Sequence, residues 1–198
     1  MKFLAALLLT LLFIGLLAVL YVGHVWYLPV AVVFYSALQD AIAAAAVTAA
    51  VVMLLRRRLG FNGFETALLV TVWLLGGYAF AISIPTVLDR SLSFYLLEKL
   101  QQRGGGILAD RFETVFVEEY VPEFRLIDVR LTEQLQSGTI RMDGGCIRLT
   151  ERGAALAEFS RFFRLNLLAK HRLLAGKYTD ALVDPFQRSA TGKIGYEC

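Results

Sequence analysis

Asp40 is the one ionisable side chain set deep in a long apolar stretch of this sequence. A charge at bilayer depth is costly, turns away from lipid and takes a partner, and it marks a functional site by default. Gln39, Tyr35 and His24 are the candidate partners. A carboxylate paired in this way could pass a proton or hold a ligand. A plainer expectation ranks ahead: if the surrounding helix begins in the headgroup layer, Asp40 is wet and merely interfacial.

Other reactive groups are few. The chain has two cysteines and two histidines, whereas a zinc site takes three or four such ligands. The sequence holds no H-E-x-x-H, G-x-S-x-G, C-x-x-C or phosphate-loop pattern. Gly104-Gly105-Gly106 reads as a turn, because no Lys-Ser/Thr follows it. His171 has Leu167 and Ala175 four residues to either side, so no carboxylate orients it. No catalytic, cofactor-binding or metal-binding residue is assigned, no cofactor is expected, and the reading leans away from an enzyme.

The elements that position Asp40 follow from composition. The 198 residues are 57% apolar and 19% charged, with a mean hydropathy of +0.59, against about 45–50% and 25% in soluble domains. The net charge of +3 gives no global field that recruits a polyanion. Before residue 89 the only charged side chains are Lys2, Asp40, Arg56, Arg57, Arg58 and Glu65. This predicts a transmembrane domain over 1–88, with spans at about 3–22, 29–55 and 66–88 and a water-facing part after them.

Phe3 to Val22 is long enough to cross a hydrocarbon core of about 30 Å. It is too long for the apolar region of a signal peptide and ends in no small-x-small cleavage pattern, so we read it as a retained helix. Tyr21, His24, Trp26 and Tyr27 then form an interfacial belt. Pro29 suits the first turn of the second helix. Ala41, Ala45 and Ala49, at four-residue spacing, offer a small-residue face, expected to pack against the chain's own neighbouring helices. Gly76 and Gly77 offer a second close-contact point, and Pro85 can bend the end of the third span.

Arg56, Arg57 and Arg58 set the orientation, because basic residues in short loops stay in the cytoplasm. Lys2 lies two crossings away, on the same side. Three crossings put the C-terminal part outside the cytoplasm, which in a bacterial inner membrane is the periplasm.

In that part, Ser91 to Arg103 reads as an amphipathic helix with Leu92, Tyr95, Leu96 and Leu100 on one face and Glu98, Lys99, Gln101 and Gln102 elsewhere. Asp110 to Val121 is a second helix, broken by Pro122, and Phe124 to Gln136 a third. Asp143-Gly144-Gly145 between two alternating runs predicts a hairpin, and Thr150 caps a fourth helix from Glu151 to about Leu168. The segment Leu131-Thr-Glu-Gln-Leu-Gln-Ser-Gly-Thr-Ile140, followed by Ile147-Arg-Leu-Thr-Glu-Arg-Gly153, resembles bacterial winged-helix regulators over roughly residues 90–160. The resemblance implies a small α+β winged-helix domain over 89–176, with a DNA-reading helix at 124–136. That helix carries Arg125 and Arg130 offset by Asp128 and Glu133, without the basic surplus that phosphate contacts need, so no nucleic-acid partner is expected.

From Phe159 to Lys177 stand Arg161, Arg164, Lys170, Arg172 and Lys177, no acid, and many bulky apolar residues. This reads equally as a basic amphipathic helix on an anionic membrane surface or as a core helix with a basic outer face. A partner subunit is a third option. Residues 177–198 read as an extended tail. Cys146 and Cys198 are expected to form a disulfide in an oxidising compartment, closing a loop of about 50 residues worth roughly 3–4 kcal/mol. Together these features predict a mainly α-helical membrane protein. Its expected role is a non-catalytic accessory subunit of an inner-membrane complex, homo- or hetero-oligomeric, in a setting such as envelope glycan machinery. The competing roles are a membrane-tethered transcription regulator with a cytoplasmic C-terminal domain and an envelope enzyme acting on a lipid-linked substrate.

Overall fold

The computed structural model describes residues 2–188. Three helical stretches are long and apolar enough to cross a membrane: Lys2–Tyr27, Val33–Leu59 and Gly63–Arg90. The first two are α1 and α2, and the third divides at Pro85 into α3 (Gly63–Ser83) and α4 (Pro85–Arg90). The chain is thus a mainly helical membrane protein, followed by a small sheet region.

Pro29 lies in the link before α2 rather than in its first turn. A proline holds the residue before it extended, and the β-branched residues that follow resist helix. Val32 is still extended (φ −139°, ψ 117°), and α2 starts only where the Ser36 hydroxyl donates to the Val32 carbonyl at 2.9 Å.

The middle helix, α2, packs against both α1 and α3. Its buried face is Ala37, Asp40, Ala41, Ala44, Ala45, Thr48, Ala49 and Val52. Small residues let backbones approach closely in lipid, where helices associate by packing rather than by a hydrophobic drive. The alanines therefore meet the chain's own helices, as their spacing predicts. Around them sit Leu9, Phe13 and Leu17 of α1 and Trp73 of α3. The tightest point is Gly77, where an added Cβ would stand 2.7 Å from the Ala41 Cβ; Gly76 has nothing within 4 Å. Gly77→Ala should cost about 1–3 kcal/mol through overpacking and Gly76→Ala nearly nothing, read as the shift in unfolding midpoint when dodecyl sulfate is titrated into mild-detergent micelles.

One end of the bundle carries the charges. Lys2 Nζ lies 2.8 Å from Glu65 Oε1. Glu65 and Asn62 close a reciprocal capping box at the start of α3. Arg56, Arg57 and Arg58 occupy the last turn of α2, where cations complement the helix dipole.

Beyond the spans the contacts divide the chain between Ile127 and Asp128. The first unit continues from α4 with α5 (Leu92–Gln102), a 3₁₀ turn (Ala109–Arg111), α6 (Phe112–Thr114), a π-helical stretch (Val115–Tyr120) and α7 (Val121–Glu123). Pro122 does not break this run. It stands in the first turn of α7, where a missing N–H costs little, because the π stretch has already shifted the hydrogen-bond register. The chain turns instead at Arg125, with φ at 45°.

The second unit holds nearly all of α8 (Leu126–Gln136), then β1 (Ile140–Asp143), β2 (Cys146–Leu149), α9 (Glu151–Asn166), β3 (Arg172–Leu174) and β4 (Lys177–Thr179). Each strand pair is antiparallel, with Ile140 opposite Leu149 and Arg172 opposite Thr179. Gly144 and Gly145, with φ of 56° and 82°, supply the two positive-φ positions that a tight hairpin demands. The order helix, helix, helix, hairpin, helix is present.

The Leu149-Thr-x-x-Gly153 segment is a latch between hairpin and helix. The Thr150 side chain donates to the Gly138 carbonyl at 2.8 Å and accepts from the Gly153 N–H at 3.1 Å. Gly153 sits so close to the Thr139 carbonyl that no side chain fits between them.

Two expectations for this region are corrected. The basic stretch is not one amphipathic helix: α9 ends at Asn166, and Arg172 and Lys177 lie on the strands of a second hairpin, which closes through Ala175 and Gly176 at positive φ. Residues 177–188 are not extended throughout, since β4 and a 3₁₀ turn at Pro185–Arg188 occupy part of them.

Candidate functional site

The last turns of α1 and the second turn of α2 face each other across the short link at 28–32, which brings His24 to Asp40. His24 Nδ1 lies 2.9 Å from Asp40 Oδ1, and the two side chains are 15% and 12% exposed. The other two candidate partners are turned away: Gln39 and Tyr35 lie on the exposed face of α2. Asp40 is not open to solvent, as an interfacial carboxylate would be. Its second oxygen, Oδ2, is buried without a hydrogen-bond partner among the described residues. A buried polar atom left unpaired is unfavourable and calls for an explanation.

Beside this pair lies a cavity of about 580 Å³. Tyr21, His24 and Val25 of α1, Val33, Ser36 and Asp40 of α2, and Ile84, Leu88 and Asp89 from the far end of the third span border it. Most of its wall is apolar, and its polar groups are one carboxylate–imidazole pair, one further carboxylate and the hydroxyls of Tyr21 and Ser36. That is the usual composition of a small-molecule site: an apolar wall with a few convergent polar groups.

A second polar cluster escaped the reading of the sequence. Lys99 is buried at 5% exposure, although the residue pattern put it on the outer face of its helix. Its ammonium donates to Glu123 at 2.9 and 3.0 Å and lies 3.0 Å from Glu119. The Tyr95 hydroxyl donates to Glu123 at 3.0 Å, and Arg103 lies 2.7 Å from Glu119. Tyr95, Tyr120, Phe116 and Phe124 pack their rings around the cluster. The signal was present as four-residue spacing: Tyr95 and Lys99 share one face of α5, Arg103 follows just past its end, and Glu119 and Glu123 stand four apart on the π-helical stretch and α7.

The hydrogen bonds with Glu123 and Glu119 raise the Lys99 pKa. Those with Lys99 hold both carboxyls below the usual range, and burial followed by Glu123 raises the Tyr95 phenol. Depressed carboxyls contribute stability that is present above their unfolded pKa and lost as pH falls through the folded value; a raised lysine loses its contribution only as pH rises above the ordinary lysine range. The cluster thus stabilises the fold across the neutral range. Lys99→Met should lower the thermal midpoint in mild detergent at pH 7, and its deficit should shrink as pH falls below the ordinary carboxyl range, about 4, towards the lower pH at which the wild-type carboxyls are protonated as well.

The remaining predicted residues are dispersed. Arg161 and Arg164 lie on α9, Lys170 precedes β3, and Arg172 and Lys177 face each other's strands across the second hairpin. Among the described residues three of the five are engaged within the chain: Arg161 lies 3.5 Å from Asp184, Arg164 covers the Phe186 ring at 5.2 Å, and Arg172 Nε donates to the Ala169 carbonyl at 3.4 Å. Cys146 opens β2, whereas Cys198 lies outside the described residues. Among the described residues no group of three or more His, Cys, Asp or Glu is placed to hold a metal ion.

The chain is mainly helical, with three helices long and apolar enough to span a membrane and a small sheet region after them. No family model, curated protein or solved structure matches the chain.

Proposed function

We propose that this chain is a non-catalytic accessory subunit of a bacterial inner-membrane complex, with its second unit on the periplasmic side and completed there by a partner protein. One observation carries the reading: that unit has almost no core of its own. Among its described residues only Thr139 and Gly153 are buried. Ile147, Leu149, Leu156, Phe159, Phe162 and Tyr178 are each between 47% and 76% exposed. Two isolated two-stranded hairpins are marginal in water, and an exposed apolar surface of this kind marks an interaction site.

The winged-helix likeness belongs to this reading as a scaffold, since fold does not imply function. Orientation rests on Arg56, Arg57 and Arg58, and a disulfide between Cys146 and Cys198 would suit the oxidising side. The basic residues on α9 and the second hairpin favour a partner with an acidic face; an anionic lipid surface is the competing occupant.

Amide hydrogen exchange separates the occupants. In the purified chain in mild detergent, amides of β1, β2 and α9 should exchange at least about tenfold faster than in native membranes, a difference of about 1.4 kcal/mol. Equal protection in the isolated monomer would overturn the proposal, as would protection restored by anionic vesicles alone.

A further inference from the structure

The cavity beside Asp40 is independent of the partner reading, because it lies within the transmembrane unit. Three observations converge there. Asp40 is 8% exposed and borders the cavity. Its Oδ2 is buried and has no hydrogen-bond partner among the described residues. The charged side chains on the wall are carboxylates, Asp40 and Asp89, and neither Lys nor Arg borders it among the described residues.

A site with two carboxylates and one imidazole recognises a hydrogen-bond donor that carries positive charge. A hydroxyl would satisfy the donor requirement but leave the Asp89 carboxylate, which makes no ion pair among the described residues, without a counter-charge. An anionic head group would meet repulsion. Apart from the Tyr21 and Ser36 hydroxyls, the rest of the wall, including Val25, Leu28, Val33 and Leu88, is hydrocarbon, so the ligand has an apolar part as well. A volume of about 580 Å³ falls within the ordinary range of small-ligand pockets, about 300–1,000 Å³. His24 orients the carboxylate through Oδ1, and Oδ2, buried at the edge of the cavity, has no donor among the described residues.

From this juxtaposition we infer that the cavity binds an amphipathic primary amine, its ammonium held by Asp40 and Asp89 and its hydrocarbon chain lying along the wall between the ends of α1, α2 and α4. The ammonium supplies three donors, and a charge-assisted bond to a carboxylate in an apolar setting is among the stronger hydrogen bonds. Binding needs no proton transfer and no covalent step. The amine can be the head group of an aminophospholipid or a free long-chain amine, and both present the same chemistry.

The test uses the full chain in phosphatidylcholine nanodiscs and dodecylamine as the probe, with dodecanol as the uncharged analogue and titration calorimetry as the readout. Dodecylamine should bind saturably. Asp40→Asn should weaken it at least about tenfold and Asp89→Asn by a smaller factor, while neither changes the uptake of dodecanol. If Asp40→Asn loses its cooperative melt, Asp89→Asn decides, because that side chain is exposed and makes no ion pair among the described residues. Adding phosphatidylethanolamine to the discs identifies the source: competition with dodecylamine assigns the lipid head group, and its absence assigns a free amine. Equal dodecylamine affinity in wild type and the decisive variant, or displacement by dodecanol at equal concentration, would overturn the inference and leave a cavity that takes hydrocarbon alone.

Discussion

Trp73→Ala is expected to lower the stability of the bundle by about 3–5 kcal/mol, the range for deleting a fully buried aromatic. Trp73 is 1% exposed and is among the largest fully buried side chains. Its indole N–H donates to the Thr10 hydroxyl at 3.1 Å, and its ring stacks on Phe13 with centroids 6.2 Å apart. It therefore joins α3 to α1, which touch each other less than either touches α2. Removal leaves a cavity on both sides of that contact and a hydroxyl without its donor. The dodecyl sulfate midpoint should fall steeply for Trp73→Ala. It should stay within about 0.5 kcal/mol of wild type for Trp26→Ala, whose side chain is 74% exposed. Equal effects of the two substitutions would show that Trp73 does not organise the bundle.

Gly153→Ala should be the most disruptive single-methyl change in the second unit. Its added Cβ meets the Thr139 backbone and also stands 2.8 Å from Leu149 Cδ1. Backbone cannot rotate away as a side chain end can, so α9 must lift from the hairpin. The Thr150 side chain would then lose its carbonyl acceptors at the end of α8. The expected penalty is about 2–3 kcal/mol, seen as an about 30- to 150-fold faster exchange of the β1 and β2 amides. Ala154→Gly, one residue on, should cost no more than about 1 kcal/mol through helix propensity. If the hairpin amides keep their wild-type protection in Gly153→Ala, the latch is not what holds hairpin and helix together.

These two residues also show what was legible beforehand. The spans were legible, because twenty uncharged residues have few other uses and charge placement along 1–88 has a strong period-free signal. The alanine face was legible from its spacing. Trp73 was not singled out, since an aromatic in an apolar run looks the same whether it faces lipid or a neighbouring helix. The hairpin at Asp143-Gly144-Gly145 was legible from turn chemistry, and the glycine of Leu-Thr-x-x-Gly stood out as a pattern whose physical meaning only the packing supplied. Pro29 and Pro122 were misjudged in opposite ways: one stays outside a helix it was expected to open, the other is carried inside a run it was expected to end. In both cases the neighbouring residues decided, through β-branching at 30–33 and a π turn at Val115–Tyr120.

The pairing of His24 with Asp40 was within reach as one of three candidates, but choosing among them required knowing how the link at 28–32 returns the chain. The Lys99 cluster was missed for a different reason. A lysine between glutamate and leucine reads as solvent-facing, and the two glutamates that bury it lie 20 and 24 residues on, in a stretch whose helical register the π turn obscures. The corrected basic stretch shows the same limit, because Ala175-Gly176 at positive φ turns a helical-looking run into a hairpin.

The proposed partner, the disulfide and the exclusion of gene control all depend on the side of the membrane that holds the second unit. A dual reporter placed after Cys198, with a phosphatase that works only outside the cytoplasm and a fluorescent protein that matures only inside, measures this in intact cells. Strong phosphatase activity without fluorescence is the expected result. Fluorescence with a silent phosphatase would put the second unit in the cytoplasm and contradict the assembly proposed here.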